Sequence, residues 1–234
     1  MWPYFLGVAV IVAAKKAYEY YTEDEVWAKS DTPSTQPTYT PEPINQLGKF
    51  VVWGRPNAGK TTFITQLLDG DIFPDKKTTT TSKKEYTNIP LKRVNAKQFE
   101  IEMIIDMPGT IDRLNDWLNQ VKIDSHVFYM MNLAKIDDPD HKAAIRSDLK
   151  ATADVLKNAP NKNKKIHIIA SHVDKSKWQE NDSSEVHNLI LEDPDIRLYY
   201  ESLHDVKGYF YMADLTNKES FENMLKSIIG DCDA

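Results

Sequence analysis

Residues 49 to 62 read KFVVWGRPNAGKTT: a short apolar strand, a loop framed by Gly54 and Gly59, and the polar start of a helix. The loop fills the pattern G-x-x-x-x-G-K-[ST] without a departure. In this pattern glycines let backbone N–H groups face phosphate oxygens, and the helix N-terminus adds a positive dipole. Lys60 would reach the β and γ phosphates, and Thr61 would offer its hydroxyl to magnesium. The stretch therefore predicts a phosphate-binding loop.

From Lys49 onward short apolar strands alternate with amphipathic helical stretches, which predicts an α/β fold with a mostly parallel sheet. The second and third strands have no helix between them, so we expect an antiparallel strand at one edge. The predicted strands cover residues 49–53, 83–94, 99–106, 126–133, 165–171 and 208–213. The predicted helices cover residues 60–69, 112–121, 139–158, 183–191 and 217–229, with a further amphipathic element at 195–206. Thr216 and Glu219 have the spacing of a capping box at the last helix.

A second constellation follows the third predicted strand, where the chain reads DMPGT. Asp106 and Gly109 match D-x-x-G, 46 residues beyond Lys60. A carboxylate at a strand end can accept from a magnesium-bound water, and a glycine N–H can approach a γ phosphate. Between the two motifs lie four consecutive threonines at 78 to 81. The two motifs together predict a nucleotide site with a switch segment.

The motif GRPNAGKTT resembles the phosphate loop of translation-factor-class GTPases, most closely that of the Era and TrmE group, and DMPGT resembles their DTPG. The resemblance implies a three-layer P-loop fold of the Ras-like G-domain type, with a six-stranded, mostly parallel sheet. It also implies that Asn57 helps to hold a potassium ion that assists hydrolysis. The nucleotide-binding residues expected in this loop are Gly54, Asn57, Ala58, Gly59, Lys60, Thr61 and Thr62.

The resemblance further implies a switch threonine just before the second strand, either Thr80 or Thr81. One of the two would close over the nucleotide; we assign Thr80, with Thr61 and Asp106, to magnesium and Thr81 to the nucleotide. Gly109 would approach the γ phosphate.

After the fifth strand the chain reads SHVD, where such GTPases usually carry N-K-x-D. Asp174 keeps the carboxylate that can take the N1 and N2 hydrogens of guanine. Ser171 and His172 depart from the usual pattern, and the result resembles the T-H-x-D of Ras-of-complex domains. His172 could stack on the base or be an exposed turn residue. At the end of the sixth strand, Ala213 is the expected backbone donor to the guanine O6, and a one-residue offset to Met212 or Asp214 would fit as well.

Hydrolysis is less constrained by the sequence than binding. Ras-like proteins position the attacking water with a glutamine just after D-x-x-G, and this chain has Thr110 there. We assign Lys60, Thr80 and Thr110 to catalysis and expect slow turnover or assistance from a cation, a homodimer or a GTPase-activating partner. Arg55 and Arg113 are candidates to act across such an interface, although a solvated role fits both.

The N-terminal segment, Met1 to Ala14, has no charged side chain. Continued to Tyr21 as a helix, it would span about 30 Å. A membrane anchor at residues 1–21 is expected, because a cleaved signal peptide would carry its lysines before the apolar run. The lysines that follow the run favour a cytoplasmic domain; a helix packed on the domain is the alternative. Residues 22–47 are rich in threonine and proline and predict a tether to a domain at 48–234.

Composition limits the other possibilities. The net charge of −6 argues against general adhesion to nucleic acid. Cys232 is the single cysteine, which leads us to expect no metal site built on cysteine, and the histidines show no spacing typical of a metal site. The leading hypothesis is a membrane-tethered GTPase that uses magnesium. Two alternatives are an ATP-using P-loop enzyme and an assembly or dimerisation module without useful turnover, similar in architecture to the signal-recognition-particle receptor β subunit.

Overall fold

The strands of the computed structural model form one sheet whose central strands are fully buried. Its seven segments are β1 Ile44–Gly54, β2 Lys84–Thr87, β3 Lys92–Val94, β4 Lys97–Asp106, β5 His126–Asn132, β6 Lys165–Ser171 and β7 Gly208–Ala213. The structure describes residues 44–68, 82–89, 92–94, 97–124, 126–158, 164–202 and 208–233. All of them belong to one unit, residues 41–234. The predicted anchor, most of the predicted tether, Thr80 and Thr81 lie outside the described residues.

The sheet has the order β2-β4-β1-β5-β6-β7, with β3 also paired to β4. Strands β4, β1, β5, β6 and β7 are parallel, while β2 and β3 run antiparallel to β4 along the same edge. The sheet therefore has six positions, five parallel and one antiparallel. This arrangement confirms the predicted fold class. It also places the C-terminal ends of the five parallel strands on the same side of the sheet.

The helices cover both faces of the sheet. They are α1 Lys60–Leu68, α2 Leu114–Ile123, α3 Pro139–Lys157, α4 Ser183–Leu191, α5 Pro194–Ser202 and α6 Lys218–Asp233. Helices α1 and α6 pack on one face, and α2 to α5 supply apolar side chains to the other. Alternate residues of β1 serve the two cores: Phe50 and Val52 face α1 and α6, while Val51 and Trp53 face the opposite layer. The result is a three-layer α/β domain.

The edge strand is interrupted where one continuous strand was predicted over residues 83–94. From Thr87 to Lys92 the edge chain advances five residues, while its partner β4 moves four, from Met103 to Phe99. The register of the edge chain against β4 therefore shifts by one residue between β2 and β3. Asn88, at the start of this gap, has the left-handed φ of 57°.

Other predicted boundaries shift by a few residues. Strand β1 begins at Ile44 and not at Lys49. The predicted capping box at Thr216 is wrong, because Asn217 accepts the Ser220 N–H at 3.0 Å and α6 begins at Lys218. Among the described residues, no helix is both long enough and apolar enough to cross a membrane.

Candidate nucleotide-binding site

The loop between β1 and α1 has a backbone that demands its glycines. Gly54 has φ 152° and Gly59 φ 85°, and Asn57 between them is left-handed at 64°. A Cβ on Gly54 would collide with the Met130 carbonyl oxygen, and one on Gly59 would lie 2.9 Å from a Leu215 methyl group. The loop is therefore held closely between neighbouring strands, and larger side chains would push it out of place.

Lys60 lies at the first residue of α1 with its amine folded back over the loop. Its Nζ donates to the Gly54 carbonyl at 2.8 Å and to the Arg55 carbonyl at 3.3 Å. The residue is only 6% exposed. Burial lowers the pKa of Lys60 to about 8, although the Asp106 carboxylate partly offsets this effect. A buried ammonium group beside the backbone of the loop is suited to bind an anionic ligand.

The DMPG segment is fastened to β1. Asp106, the last residue of β4, is buried and pairs in register with Val52. The Met107 N–H donates to the Val52 carbonyl at 3.1 Å, and the Trp53 indole donates to the Pro108 carbonyl at 2.9 Å. These bonds bring the second motif against the phosphate loop.

Gly109 is the point of closest approach between the two motifs. A Cβ added there would clash with the Gly54 carbonyl oxygen and would lie 2.8 Å from the Lys60 amine. Thr110, the next residue, is exposed, and its carbonyl accepts the Arg113 N–H at the start of a short 3₁₀ turn. Gly109 is thus in place beside the predicted phosphate site, and the Thr110 side chain is open to solvent.

The SHVD segment touches the phosphate loop through its serine. Ser171, the last residue of β6, is fully buried, and its Oγ lies 3.0 Å from both the Ala58 and the Met131 carbonyl oxygens. His172 follows in a left-handed conformation, φ 59°, with Nδ1 2.8 Å from the Ser171 hydroxyl. Asp174 is exposed two residues further on. The left-handed turn at His172 ends the strand and carries the chain from the buried serine to the exposed aspartate.

The last predicted loop meets the same region. Ala213 ends β7 and pairs in register with Ser171. Leu215 lies close to Gly59, because a Cβ added to this glycine would be 2.9 Å from a Leu215 methyl group. The Asp214 carboxylate accepts from the N–H and the hydroxyl of Thr216 at 2.8 and 2.7 Å, which shapes the turn into α6. Three loops therefore converge on the phosphate loop.

Arg55 is largely buried, and its side chain is 15% exposed. Its guanidinium forms a two-pronged ion pair with Asp148 of α3, whose side chain is fully buried. The Tyr129 hydroxyl also donates to Asp148 at 3.1 Å. Burial raises the pKa of Asp148, while the Arg55 cation opposes the increase. Arg55 therefore fixes the start of the phosphate loop to α3, and the predicted alternative of an arginine acting across an interface does not fit it.

Two anchors of the phosphate loop were absent from the predicted site. In the sequence, Ser171 is only a departure from the usual asparagine, and Asn132 belongs to none of the motifs. Asn132, at the end of β5, donates from Nδ2 to the Asn57 carbonyl at 2.9 Å. Both residues end a strand of the parallel sheet on the side of the phosphate loop, and polar residues at such positions are the signal that could have identified them.

The other predicted residues have mixed outcomes. Thr61 and Thr62 lie half-buried in the first turn of α1, and Ala58 is buried in the loop. Asn57 is exposed. The structure does not describe Thr80 or Thr81, and their assignment stays a prediction.

A phosphate loop entering a helix, a D-x-P-G segment against it and a base loop beside it define a P-loop nucleotide-binding domain of the translation-factor class. The family model described as 50S ribosome-binding GTPase matches residues 49–188, which are 140 of the 234 residues. The chain belongs to this family of GTPases. No curated protein is significantly similar to it in sequence. The family establishes a GTPase domain that binds guanine nucleotide.

Proposed function

We propose that this protein is a membrane-tethered GTPase that binds GTP and GDP with Mg²⁺ and hydrolyses GTP slowly, or with the help of a partner or of K⁺. The observation that carries the proposal is the close approach of Gly109 to Gly54 and Lys60, where an added Cβ would lie 2.4 Å from the Gly54 carbonyl oxygen and 2.8 Å from the Lys60 amine. It puts the segment that would sense the γ phosphate directly against the loop that would hold it. Binding and a two-state switch can therefore share one pocket.

The phosphates would be held by the N-terminal turn of α1 and by Lys60. The backbone N–H groups of the loop and the helix dipole favour negative charge there. The buried Lys60 amine gains a counter-charge when phosphate binds, which compensates for its desolvation. Its present donation to the Gly54 and Arg55 carbonyls keeps it oriented over the loop.

Thr61, Thr80 and Asp106 would hold the magnesium ion. Hydroxyl and carboxylate oxygens are the hard donors that Mg²⁺ prefers, and Thr61 and Asp106 follow directly from the two phosphate-facing motifs. Magnesium would supply charge neutralisation for the β and γ phosphates. Asp106 is 1% exposed, so its carboxylate has little access to bulk water and is suited to a ligand-bound water.

Asp174 would select guanine, with Ser171 fixing the loop that carries it. The Ser171 hydroxyl substitutes for an asparagine amide in one respect, because it ties the base loop to the Ala58 carbonyl. The Ser171 side chain is too short to reach further, so the exposed Asp174 carboxylate would contact the base, with the His172 ring stacked on it. Guanine presents two N–H donors to a carboxylate, and adenine does not.

GTP hydrolysis would depend on a group that is not among the catalytic residues of Ras-like GTPases. Thr110 replaces the usual glutamine, and Arg55 is committed to Asp148. Asn57 is exposed, while its carbonyl is fixed by Asn132, so its side chain is available at the loop. We therefore propose that K⁺ at Asn57, or an arginine from a partner or second copy, completes the site; a partner arginine can add about 10⁵-fold in other GTPases.

Membrane attachment rests on the sequence of residues 1–21. An uncharged run followed by lysines and tyrosines is suited to a short membrane-spanning helix with its C-terminal side in the cytoplasm. The proline-rich stretch after it would act as an extended spacer. The proposed location is therefore a membrane with the GTPase domain in the cytoplasm. Flotation of the full-length chain with vesicles, compared with residues 22–234, tests this part separately; co-flotation of both forms or of neither would contradict it.

The central experiment measures nucleotide binding and single-turnover hydrolysis in matched K⁺ and Na⁺ buffers. We expect GTP and GDP, but not ATP, to bind competitively, and Lys60→Ala to lose phosphate binding. Equal competition by ATP would refute the guanine assignment. Nucleotide binding without hydrolysis in either buffer would favour the assembly module.

The test of K⁺ stimulation has a matched control variant. Asn57→Gly removes the side chain but tolerates the left-handed backbone, and we expect it to abolish any K⁺ stimulation. Asn88→Gly makes the same change at a second left-handed asparagine, φ 57°, directly after β2, and it should leave K⁺ stimulation intact. Equal turnover of the unmodified protein in K⁺ and Na⁺ would contradict the role of Asn57.

A further inference from the structure

Three side chains that can bind a metal ion lie together near the N-terminal ends of the parallel strands, on the side of the sheet away from the nucleotide site. His126 is the first residue of β5, His167 lies near the start of β6, and Cys232 lies in the last turn of α6. One ligand atom from each lies within 4.8 Å of the other two. The sequence led us to expect no metal site built on cysteine, and this convergence is the reason to reconsider that expectation. Parallel strands place their N-terminal ends away from the phosphate loop, so this cluster is separate from the GTPase site.

Two distances within the cluster are close to those of a tetrahedral zinc site. His126 Nδ1 lies 3.1 Å from His167 Nε2, and Cys232 Sγ lies 3.7 Å from His126 Nδ1. Zinc bonds of about 2.0 Å to nitrogen and 2.3 Å to sulfur, at tetrahedral angles, require spacings of about 3.3 and 3.6 Å. The two spacings that involve His126 lie within a few tenths of an ångström of these values. His167 Nε2 and Cys232 Sγ lie within 4.8 Å of each other, so a movement of at most about 1.2 Å by the Cys232 side chain would complete the geometry.

A chain of hydrogen bonds behind His167 fixes the ring in the form that a metal requires. His167 Nδ1 lies 3.2 Å from the Tyr211 hydroxyl, which donates to the Asp231 carboxylate at 2.9 Å. Because the Tyr211 proton points to Asp231, its oxygen is left to accept the proton on His167 Nδ1. His167 Nε2 then carries a lone pair toward His126 and Cys232. Such outer partners typically orient metal-binding histidines.

The last turn of α6 is positioned by a second set of contacts. The Lys165 ammonium donates to the carbonyl oxygens of Asp231 and Cys232, each at 2.9 Å. A cation at the C-terminal end of a helix satisfies exposed carbonyls and complements the helix dipole. Lys165 therefore holds Cys232 next to β6 while leaving its sulfur directed into the cluster.

We propose that His126 Nδ1, His167 Nε2 and Cys232 Sγ bind a Zn²⁺ ion that fastens the C-terminal helix to β5 and β6. Imidazole nitrogen and thiolate sulfur are the donors that zinc favours. On binding, the proton between the two histidines moves to Nε2 of His126, and the Cys232 thiol releases its proton to solvent. Water completes the fourth position.

The site would act on stability and not on the phosphate chemistry. Cys232 and His126 are 106 residues apart in sequence, so the ion would close a long loop of the folded chain. A ligand that binds only the folded state raises the free energy of unfolding in proportion to the logarithm of its concentration. Zinc should therefore raise the melting temperature while the GTP hydrolysis rate stays unchanged.

Cobalt provides a direct test, because a thiolate bound to Co²⁺ gives a charge-transfer absorption in the near ultraviolet. The full-length chain has one cysteine, so such a band reports Cys232 alone. We expect the band to appear at one Co²⁺ per chain and to disappear when Zn²⁺ is added. Cys232→Ser and His126→Asn should lose it, and Tyr211→Phe should weaken metal affinity by about 10- to 100-fold. His141→Gln, in the first turn of α3, is the control and should retain it.

Several outcomes would overturn the proposal. One is the absence of a thiolate band at saturating Co²⁺ in a protein whose circular dichroism is that of a folded chain. Another is an unchanged band in His126→Asn, which would mean that thiolates of two molecules share the ion. A third is equal stabilisation of the unmodified protein and Cys232→Ser by Zn²⁺.

Discussion

Replacing Lys60 with methionine should change how the stability of the nucleotide-free protein depends on pH. Lys60 is 6% exposed, and burial lowers its pKa from the ordinary 10.5 to about 8. Between these values the unfolded chain holds a proton that the folded protein has released. The free energy of unfolding therefore rises with pH between about 8 and 10.5. Below about pH 8 the buried ammonium group lowers it by the full amount.

The magnitude follows from the two pKa values. Each pKa unit corresponds to about 1.4 kcal/mol, so the whole window is worth about 3 kcal/mol. Between about pH 7 and pH 10 the unmodified protein should gain about 2.5 kcal/mol relative to Lys60→Met. Loss of the bonds to the Gly54 and Arg55 carbonyls adds a constant penalty to the variant. That constant cancels when the two pH values are compared.

The assay is urea unfolding of both proteins, stripped of nucleotide, at the two pH values. Lys150→Met is the control, because Lys150 is exposed on α3, and its effect on stability should be the same at both. The quantity compared is the free energy of unfolding of the unmodified protein minus that of Lys60→Met. If this difference is the same at both pH values, or is smaller at the higher pH, the reasoning is refuted. It would mean that the amine is not destabilised by burial beneath the loop.

Two further substitutions probe the support of the phosphate loop. Gly109→Ala should lower GDP affinity by about 10- to 100-fold, because its Cβ would press on the Gly54 carbonyl and the Lys60 amine. Gly230→Ala, where a Cβ meets nothing within 4 Å, should leave affinity in isothermal titration unchanged, and equal effects of the two would contradict the contact. Arg55→Met should cost about 3 to 5 kcal/mol in urea unfolding at neutral pH, because it strands the buried Asp148 charge. Adding Asp148→Asn should recover part of that loss, and a single variant as stable as the unmodified protein would exclude the anchoring role of the ion pair.

Local sequence predicted the parts of this protein that depend on local backbone geometry. The glycine spacing around Lys60 requires positive φ angles, and the structure has them at Gly54 and Gly59. Strands β6 and β7 have the predicted bounds, because their apolar runs are short and bounded by polar or turn residues. The edge strand was predicted less well, since its division into β2 and β3 depends on the register of each segment against β4.

The sequence by itself determined that this chain is a P-loop GTPase domain, because its motifs carry their own backbone requirements within a few residues. Only the tertiary structure decided what supports those motifs. The Arg55–Asp148 pair spans 93 residues and the Ser171–Ala58 bond 113. The cluster of His126, His167 and Cys232 depends in the same way on strand order and on where α6 ends. Such contacts are set by how the sheet is wound and in which register, and no spacing along the chain encodes them.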